Sequence, residues 1–297
     1  MKVLVTGASG MVGRNLVEYF EQRGVETIPT DVAGWEVSGN LLDREFVFGK
    51  LASLDFDAIV HMAAITDIKK TVDDPKLCFE VNCFGSLNVL ELALRKRVTR
   101  ILATSSANVY GAPKKNPVSE GAPFDPRVPY DYSKVVLENL AMSFYKTKNL
   151  PVSITRSWLL FGKFDQPTRA TSRFIRACLK DEPLTLFNGG KDTTSPSHAV
   201  NFAKLALTIL NNERAVGRAY NFGGERPVTI RDLAEMIRDL TGSKSKLILA
   251  PPRTALEAEP QISYPSVERA KSELGYEYEL SLEKGLLQTI EWVKAQP

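Results

Sequence analysis

Tyr130 and Lys134 stand four positions apart in Tyr130-Asp131-Tyr132-Ser133-Lys134, at the start of a stretch with helical periodicity, so they share one helix face. An ammonium beside a phenol favours the phenolate and lowers the tyrosine pKa, which makes Tyr130 a usable general acid/base near neutral pH. Such a pair is common on helices. It gains meaning here because it lies downstream of a nucleotide-type loop. Between the two, Thr104-Ser105-Ser106-Ala107-Asn108-Val109-Tyr110-Gly111 follows the apolar run 100–105. A serine hydroxyl at the carboxyl end of a buried strand can hydrogen-bond a substrate oxygen and polarise a carbonyl. Competing chemistries are scarce. The chain has two histidines (His61, His198) and three cysteines (Cys78, Cys83, Cys178), with no CxxC or HxxxH pair. That argues against a disulfide framework, a structural zinc site or His-centred catalysis, and the expectation is a site without metal.

The nucleotide-type loop is Thr6-Gly7-Ala8-Ser9-Gly10-Met11-Val12-Gly13, which lies directly between the strand-like run 2–6 and a helical run over 11–24. Glycine accepts positive φ and lets backbone approach a ligand closely. The helix N-terminus beyond offers unpaired N–H groups and partial positive charge, which suits a pyrophosphate. Gly7, Ser9, Gly10, Met11, Val12 and Gly13 are therefore candidate cofactor contacts, spaced GxxGxxG. Asp31 ends the next strand. Its carboxylate can accept from an adenosine ribose hydroxyl and would repel a 2′-phosphate, so NAD is expected over NADP. No GK[ST] follows the loop, which excludes a P-loop.

These groups need a scaffold that brings strand ends together. Strand-like runs are expected at 2–6, 25–30, 58–64, 100–105 and 152–160. They alternate with helical runs at 11–24, 75–97 and 132–148. That alternation implies an α/β fold with a doubly wound parallel sheet of Rossmann type. After about residue 162 come helical runs at 172–181, 199–211, 230–241, 265–274 and 282–295, with short strands at 219–222 and 247–249 and a proline-rich loop over 251–265. The expected organisation is a cofactor domain over 1–162, with parts of about 190–223, and a smaller mixed α/β substrate lobe interleaved over 163–297. Length and composition agree: 297 residues with 43% apolar and 25% charged side chains suffice for a sizeable core. Lys+Arg exceed Asp+Glu by 38 − 35 = 3, spread along the chain, so no nucleic-acid partner is expected. The apolar runs are shorter than a membrane span or a signal-peptide core, and the expectation is a cytoplasmic protein with no membrane partner.

In order and spacing, the TGxxGxxG loop, the Ser-Ser-Ala-x-Val-Tyr-Gly stretch and the YxxxK pair resemble the extended short-chain dehydrogenase/reductase family. The branch they resemble is that of the NAD-dependent epimerases and dehydratases, typified by the UDP-galactose 4-epimerases. His61-Met62-Ala63-Ala64, Asn82-Cys83-Phe84-Gly85-Ser86, Tyr220-Asn221-Phe222-Gly223 and the ending from Leu274-Gly275-Tyr276 to Trp292 extend the resemblance over nearly the whole chain. The resemblance implies that Tyr130 is the general acid/base, that Lys134 holds the nicotinamide ribose, and that Ser106 binds the substrate oxygen. It further implies that Asn40 and Leu41 lie at the adenine, that Met62, Ala63 and Ala64 pass the pyrophosphate and ribose, and that Asn82 and Thr104 lie near the cofactor. Ser157 and Trp158 would border the nicotinamide. His61 and His198 become structural neighbours. A homodimer is implied through the helices over 75–97 and 132–148, with a nucleotide-sugar as the small-molecule substrate.

Several positions depart from the family pattern. Dehydratases carry Asp-Glu where this chain has Ala107 and Asn108, and sugar-nucleotide decarboxylases carry Glu at the place of Asn108, so the stretch is closer to the 4-epimerases. Leu159 and Thr194 replace the Asn and Arg that meet the nucleotide diphosphate. Arg253 resembles the second phosphate-binding Arg, and Arg169, Arg173 or Lys163 are possible substitutes for the first. The reading is therefore an NAD-dependent sugar-nucleotide C4 epimerase. Two alternatives stay open: a net NAD(P)-dependent oxidoreductase on a keto sugar or other small alcohol, and a non-catalytic NAD-binding regulator.

Overall fold

The computed structural model describes residues 1–252 and 259–296. The strands are β1 (Lys2–Thr6), β2 (Glu26–Asp31), β3 (Val37–Ser38), β4 (Ala58–His61), β5 (Arg100–Ser106), β6 (Val152–Ser157), β7 (Leu160–Phe161), β8 (Leu184–Phe187), β9 (Thr193–Thr194), β10 (Ser197–His198), β11 (Ala219–Phe222), β12 (Val228–Thr229) and β13 (Leu247–Ala250). The α-helices are α1 (Met11–Glu21), α2 (Ile68–Asp73), α3 (Pro75–Phe79), α4 (Gly85–Lys96), α5 (Pro129–Lys148), α6 (Ala170–Cys178), α7 (Ala199–Leu210), α8 (Ile230–Thr241), α9 (Glu268–Leu274) and α10 (Leu282–Lys294).

Seven strands form one sheet in the order β11-β6-β5-β4-β1-β2-β3, and every pairing is parallel. Alternation along the strands feeds two cores. Val3 and Val5 of β1 face one core, with α1 and α7, through Leu16, Phe20, Phe202 and Leu205. Leu4 and Ile59 face the other, with α4 and α5, through Val89, Leu92, Leu137 and Ala141. The chain leaves β1 to one side to make β2 and crosses to the other to make β4. That reversal opens a crevice at the carboxyl ends of β1 and β4, where doubly wound sheets take their ligands. A third core joins α6, α8 and α10 with β8 through Phe174, Ile175, Leu186, Leu233 and Ile290.

Two helices differ from expectation in ways that matter for the site. The run over 75–97 is α3 and α4 joined by a wide π-type turn, Glu80–Phe84, which turns Asn82 and Cys83 into the interior. The whole run Pro75–Lys96 is long and apolar enough to cross a membrane, but it packs on the sheet as a half-buried core element. α5 begins at Pro129, three residues earlier than the periodicity suggests. Proline suits the first helical turn, and the Asp131 carboxylate reaches back to accept from the backbone N–H groups of Arg127 (3.0 Å) and Val128 (3.2 Å). Tyr130 and Lys134 are thus both helical.

Candidate active site

The glycine loop has the form a dinucleotide needs. Gly7 sits at φ +74°, and a Cβ there would lie 2.6 Å from the Ala63 backbone nitrogen and 2.7 Å from the Met62 carbonyl carbon. Any side chain would push the loop after β1 away from the loop after β4. A Cβ on Gly13 would overlap the Gly7 carbonyl oxygen, so the third glycine lets α1 close on the loop. Gly10 is exposed and precedes α1, whose first turn has no side-chain cap. Its N–H groups are therefore available to an anion. Met11 is buried beneath this turn and Val12 is half-buried. Asp31, at the end of β2, accepts from Ser9 N–H (3.0 Å) and Val32 N–H (2.7 Å), and the Ser9 hydroxyl donates to the Ala33 carbonyl (2.8 Å). The loop and the carboxylate are held as one rim. Asn40 is exposed and its Oδ1 accepts from Leu42 N–H, while the Leu41 carbonyl is tied to the Asn88 amide (2.8 Å).

Behind the rim runs a buried polar chain whose directions are fixed. The Thr6 hydroxyl oxygen accepts from Met62 N–H and Ala63 N–H (3.3 Å each), so its own proton goes to His61 Nδ1 (2.7 Å). His61 Nε2–H then donates to Ser86 Oγ (2.9 Å), and Ser86 donates to the Asn82 carbonyl. Burial pushes His61 down to about 3, so it stays neutral. The Asn82 side chain accepts from Ile65 N–H (2.7 Å) and donates to the Ile65 carbonyl (3.1 Å) and to Ser133 Oγ (3.0 Å). Ser133 in turn donates to the Tyr130 carbonyl (2.7 Å). The His61-Met62-Ala63-Ala64 and Asn82 segments therefore fasten the crevice wall to the first turn of α5. Sequence reading located these residues but did not reveal this framework.

Ser106, Tyr130 and Lys134 meet at the carboxyl end of β5. Ser106 Oγ accepts from Asn108 N–H (3.2 Å), which leaves its proton for the Tyr130 phenol, on which the hydroxyl acts to favour the phenolate. Lys134 Nζ lies 5.9 Å from the Tyr130 ring centroid and donates to the Thr104 carbonyl (2.9 Å), while the Thr104 hydroxyl donates to the His61 carbonyl (3.0 Å). One expectation changes here. Burial, rather than the lysine, dominates the tyrosine, pushing it up to about 12, against which the Ser106 hydroxyl pulls down. Burial also lowers Lys134 to about 8.

Ser157 and Trp158 follow β6 beside this group. Ser157 Oγ is buried and has no partner among the described residues. The Trp158 ring stacks on Tyr110 (centroids 5.8 Å apart) and donates from Nε1 to Ser263 Oγ (2.9 Å). A buried ion pair that sequence reading missed underlies both. Arg156 donates to both Glu138 oxygens and to Tyr110 Oη (2.6 Å), which donates to Asn221 Oδ1 (2.8 Å). The only signal in the sequence was Arg156 in a strand otherwise free of charge.

On the substrate side, Leu159 packs against the third core and Thr194 pairs with Val228. Of the substitute cations, Lys163 is bound to Glu18 (3.0 Å), and Arg173 lies against Phe174 and Phe187 (5.4 and 5.7 Å from the ring centroids). Arg169, at the head of α6, lies 3.5 Å from Asp165 and acts electrostatically on Tyr130. Arg253 lies outside the described residues. Burial lowers His198 to about 4, and it serves as the cap of α7 through Nδ1.

A parallel sheet with a glycine cradle at its switch point, an acidic rim and a Ser–Tyr–Lys group defines a dinucleotide-dependent enzyme of the extended short-chain dehydrogenase/reductase class. Residues 3–223 match the model of the NAD dependent epimerase/dehydratase family, and the chain belongs to that family. It is therefore an NAD-dependent enzyme, and the cradle, rim and unpartnered Ser157 fit that cofactor. UDP-glucuronic acid decarboxylase 1 of Arabidopsis thaliana is 30% identical over 305 residues, covering 96% of this chain and 68% of that protein. UDP-glucuronate 4-epimerase of Thermodesulfobacterium geofontis is 24% identical over 318 residues, covering 98% and 95%. Among solved structures, Pal from Bacillus thuringiensis superposes with a TM-score of 0.91 at 28% identity, covering 99% of each chain.

Proposed function

We propose that this chain is a sugar-nucleotide epimerase that inverts C4 through a transient 4-keto sugar. The observation that carries this reading is the composition of the turn after β5. Ser106 acts there on the Tyr130 phenol, while the next two positions, Ala107 and Asn108, hold no group able to transfer a proton. Such a turn can help oxidise and re-reduce an alcohol, but among the described residues it offers no second acid or base for eliminating water. NAD would supply the hydride acceptor and donor, held by the Gly7–Gly13 cradle, Asp31 and Lys134. Tyr130 takes the proton of the 4-hydroxyl and returns it, Ser106 orients the same oxygen, and Lys134 fixes Tyr130 relative to the ribose.

The diphosphate falls to Arg169 at the uncapped head of α6, because Leu159 and Thr194 are committed elsewhere. The same two residues favour the second reading, a net oxidoreductase on a substrate without a diphosphate. We further read the chain as a cytoplasmic homodimer. Phe84 (59% exposed), Tyr132 (50%) and Val136 are exposed apolar side chains on the wide turn and α5, and a second copy would cover them. Incubation with NAD and UDP-glucose, followed by proton NMR, tests the activity. Epimerisation produces UDP-galactose with no accumulation of NADH. Stoichiometric NADH with no epimer favours the oxidoreductase.

A further inference from the structure

Asn108 follows the reacting serine by two residues, is exposed at the mouth of the crevice, and yet is not free to turn. Its Nδ2 donates to Asp131 Oδ1 (3.1 Å). Asp131 is buried, and its other oxygen already accepts from Arg127 N–H and Val128 N–H. A carboxylate can only accept, so the amide cannot flip to place its oxygen there. Flipping would set two acceptors against each other beside the buried carboxylate, an arrangement that costs far more than an ordinary missing bond. The backbone N–H of Asn108 is also spent, on Ser106 Oγ (3.2 Å). What the residue leaves uncommitted is therefore Oδ1, an exposed acceptor with no partner among the described residues, on a residue whose own N–H is bonded to Ser106 Oγ.

We propose that Asn108, locked by Asp131, is a specificity-determining residue. Its Oδ1 accepts from a hydroxyl or amide N–H on the sugar next to the reacting carbon and disfavours a carboxylate at that place. This deepens the epimerase reading and rests on it. A fixed acceptor discriminates in one direction. A donor on the sugar completes it, a missing donor forgoes that bond, and a second acceptor repels it. The two relatives described above are named for uronate substrates, so this chain would diverge from them in what it accepts at this point.

The test is binding, measured by calorimetry on Tyr130→Phe protein loaded with NAD, and kcat/KM on protein with Tyr130 intact, using UDP-glucose, UDP-xylose and UDP-glucuronate. The expected order is UDP-glucose first and UDP-glucuronate last, with at least about a tenfold gap between them, the size of one hydrogen bond to a neutral group. Asn108→Ala is expected to narrow that gap severalfold with NAD affinity unchanged, while thermal stability falls modestly because Asp131 loses the amide donor. Asn108→Thr, which restores an acceptor, is expected to recover part of it. Equal or better binding of UDP-glucuronate by the unaltered residue, or an unchanged ratio in Asn108→Ala, overturns the assignment and leaves the epimerase reading standing. If none of the three sugars binds, the epimerase reading fails and the assignment fails with it.

Discussion

The half of the crevice that faces the cofactor and the half that faces the substrate are built in opposite ways. Around Gly7, Gly13 and Asp31, positions are fixed by backbone. Two glycines stand where a Cβ has no room, and a carboxylate is clamped by two N–H groups. Across the crevice, the residues that would grip a substrate are side chains on short elements, and two of them, Leu159 and Thr194, have been drawn into packing and strand pairing. A cofactor common to many enzymes tolerates little variation in its cradle. A substrate site changes its partners by exchanging side chains on an unchanged frame.

The sharpest way to separate the halves is to remove the chemistry and keep the cradle. Tyr130→Phe is expected to lower kcat by about 10²–10⁴-fold, as for loss of a general acid/base, with NAD affinity unchanged in a fluorescence titration. Breaking the cradle should do the reverse. Gly7→Ala combines an unfavourable positive φ with an overlap against Ala63, and is expected to cost about 1–3 kcal/mol of stability and to weaken NAD binding. Thermal unfolding with and without NAD measures both. On the substrate side, Arg169→Ala is expected to raise KM for a UDP-sugar by about 10–100-fold, the value of a charge-assisted bond of about 1.5–3 kcal/mol, with little change in NAD affinity. If Arg169→Ala leaves KM unchanged, the diphosphate is held elsewhere.

The smallest effect expected is on pH dependence. Burial holds Lys134 at about 8 in the folded protein, against 10.5 for a free lysine. Between those values the unfolded chain carries the extra proton, so this residue makes stability rise with pH across that window. Turnover should do the opposite, falling above about pH 8 as the ammonium proposed to hold the ribose is lost. Lys134→Arg should move that falling limb upward, which a kcat–pH profile would show.

Legibility followed the same division. The strand, glycine loop and helix at 2–24 were readable because backbone requirements leave residue types that cannot be exchanged, and β1 and β11 fall at their expected bounds. Tyr130, Lys134 and Ser106 were readable as a set by order and spacing. Four things were not. The start of α5 moved because its cap is Asp131 reaching backwards, which periodicity does not register. The wide turn at Glu80–Phe84 looks like any helical stretch in sequence. The expected lowering of the Tyr130 pKa failed because spacing shows which residues share a face, not how deeply that face is buried. The Arg156–Glu138 pair joins β6 to α5 across the core, a pairing that no local pattern encodes.

The central claim is that a transient ketone forms at C4 and the hydrogen removed from that carbon returns to it. UDP-glucose carrying deuterium at C4, incubated with the protein and NAD in ordinary water, tests this most directly. The expected result is UDP-galactose that retains the deuterium at C4, with no loss to solvent. Loss of the label to water, or a product with an unchanged C4 configuration, would contradict it.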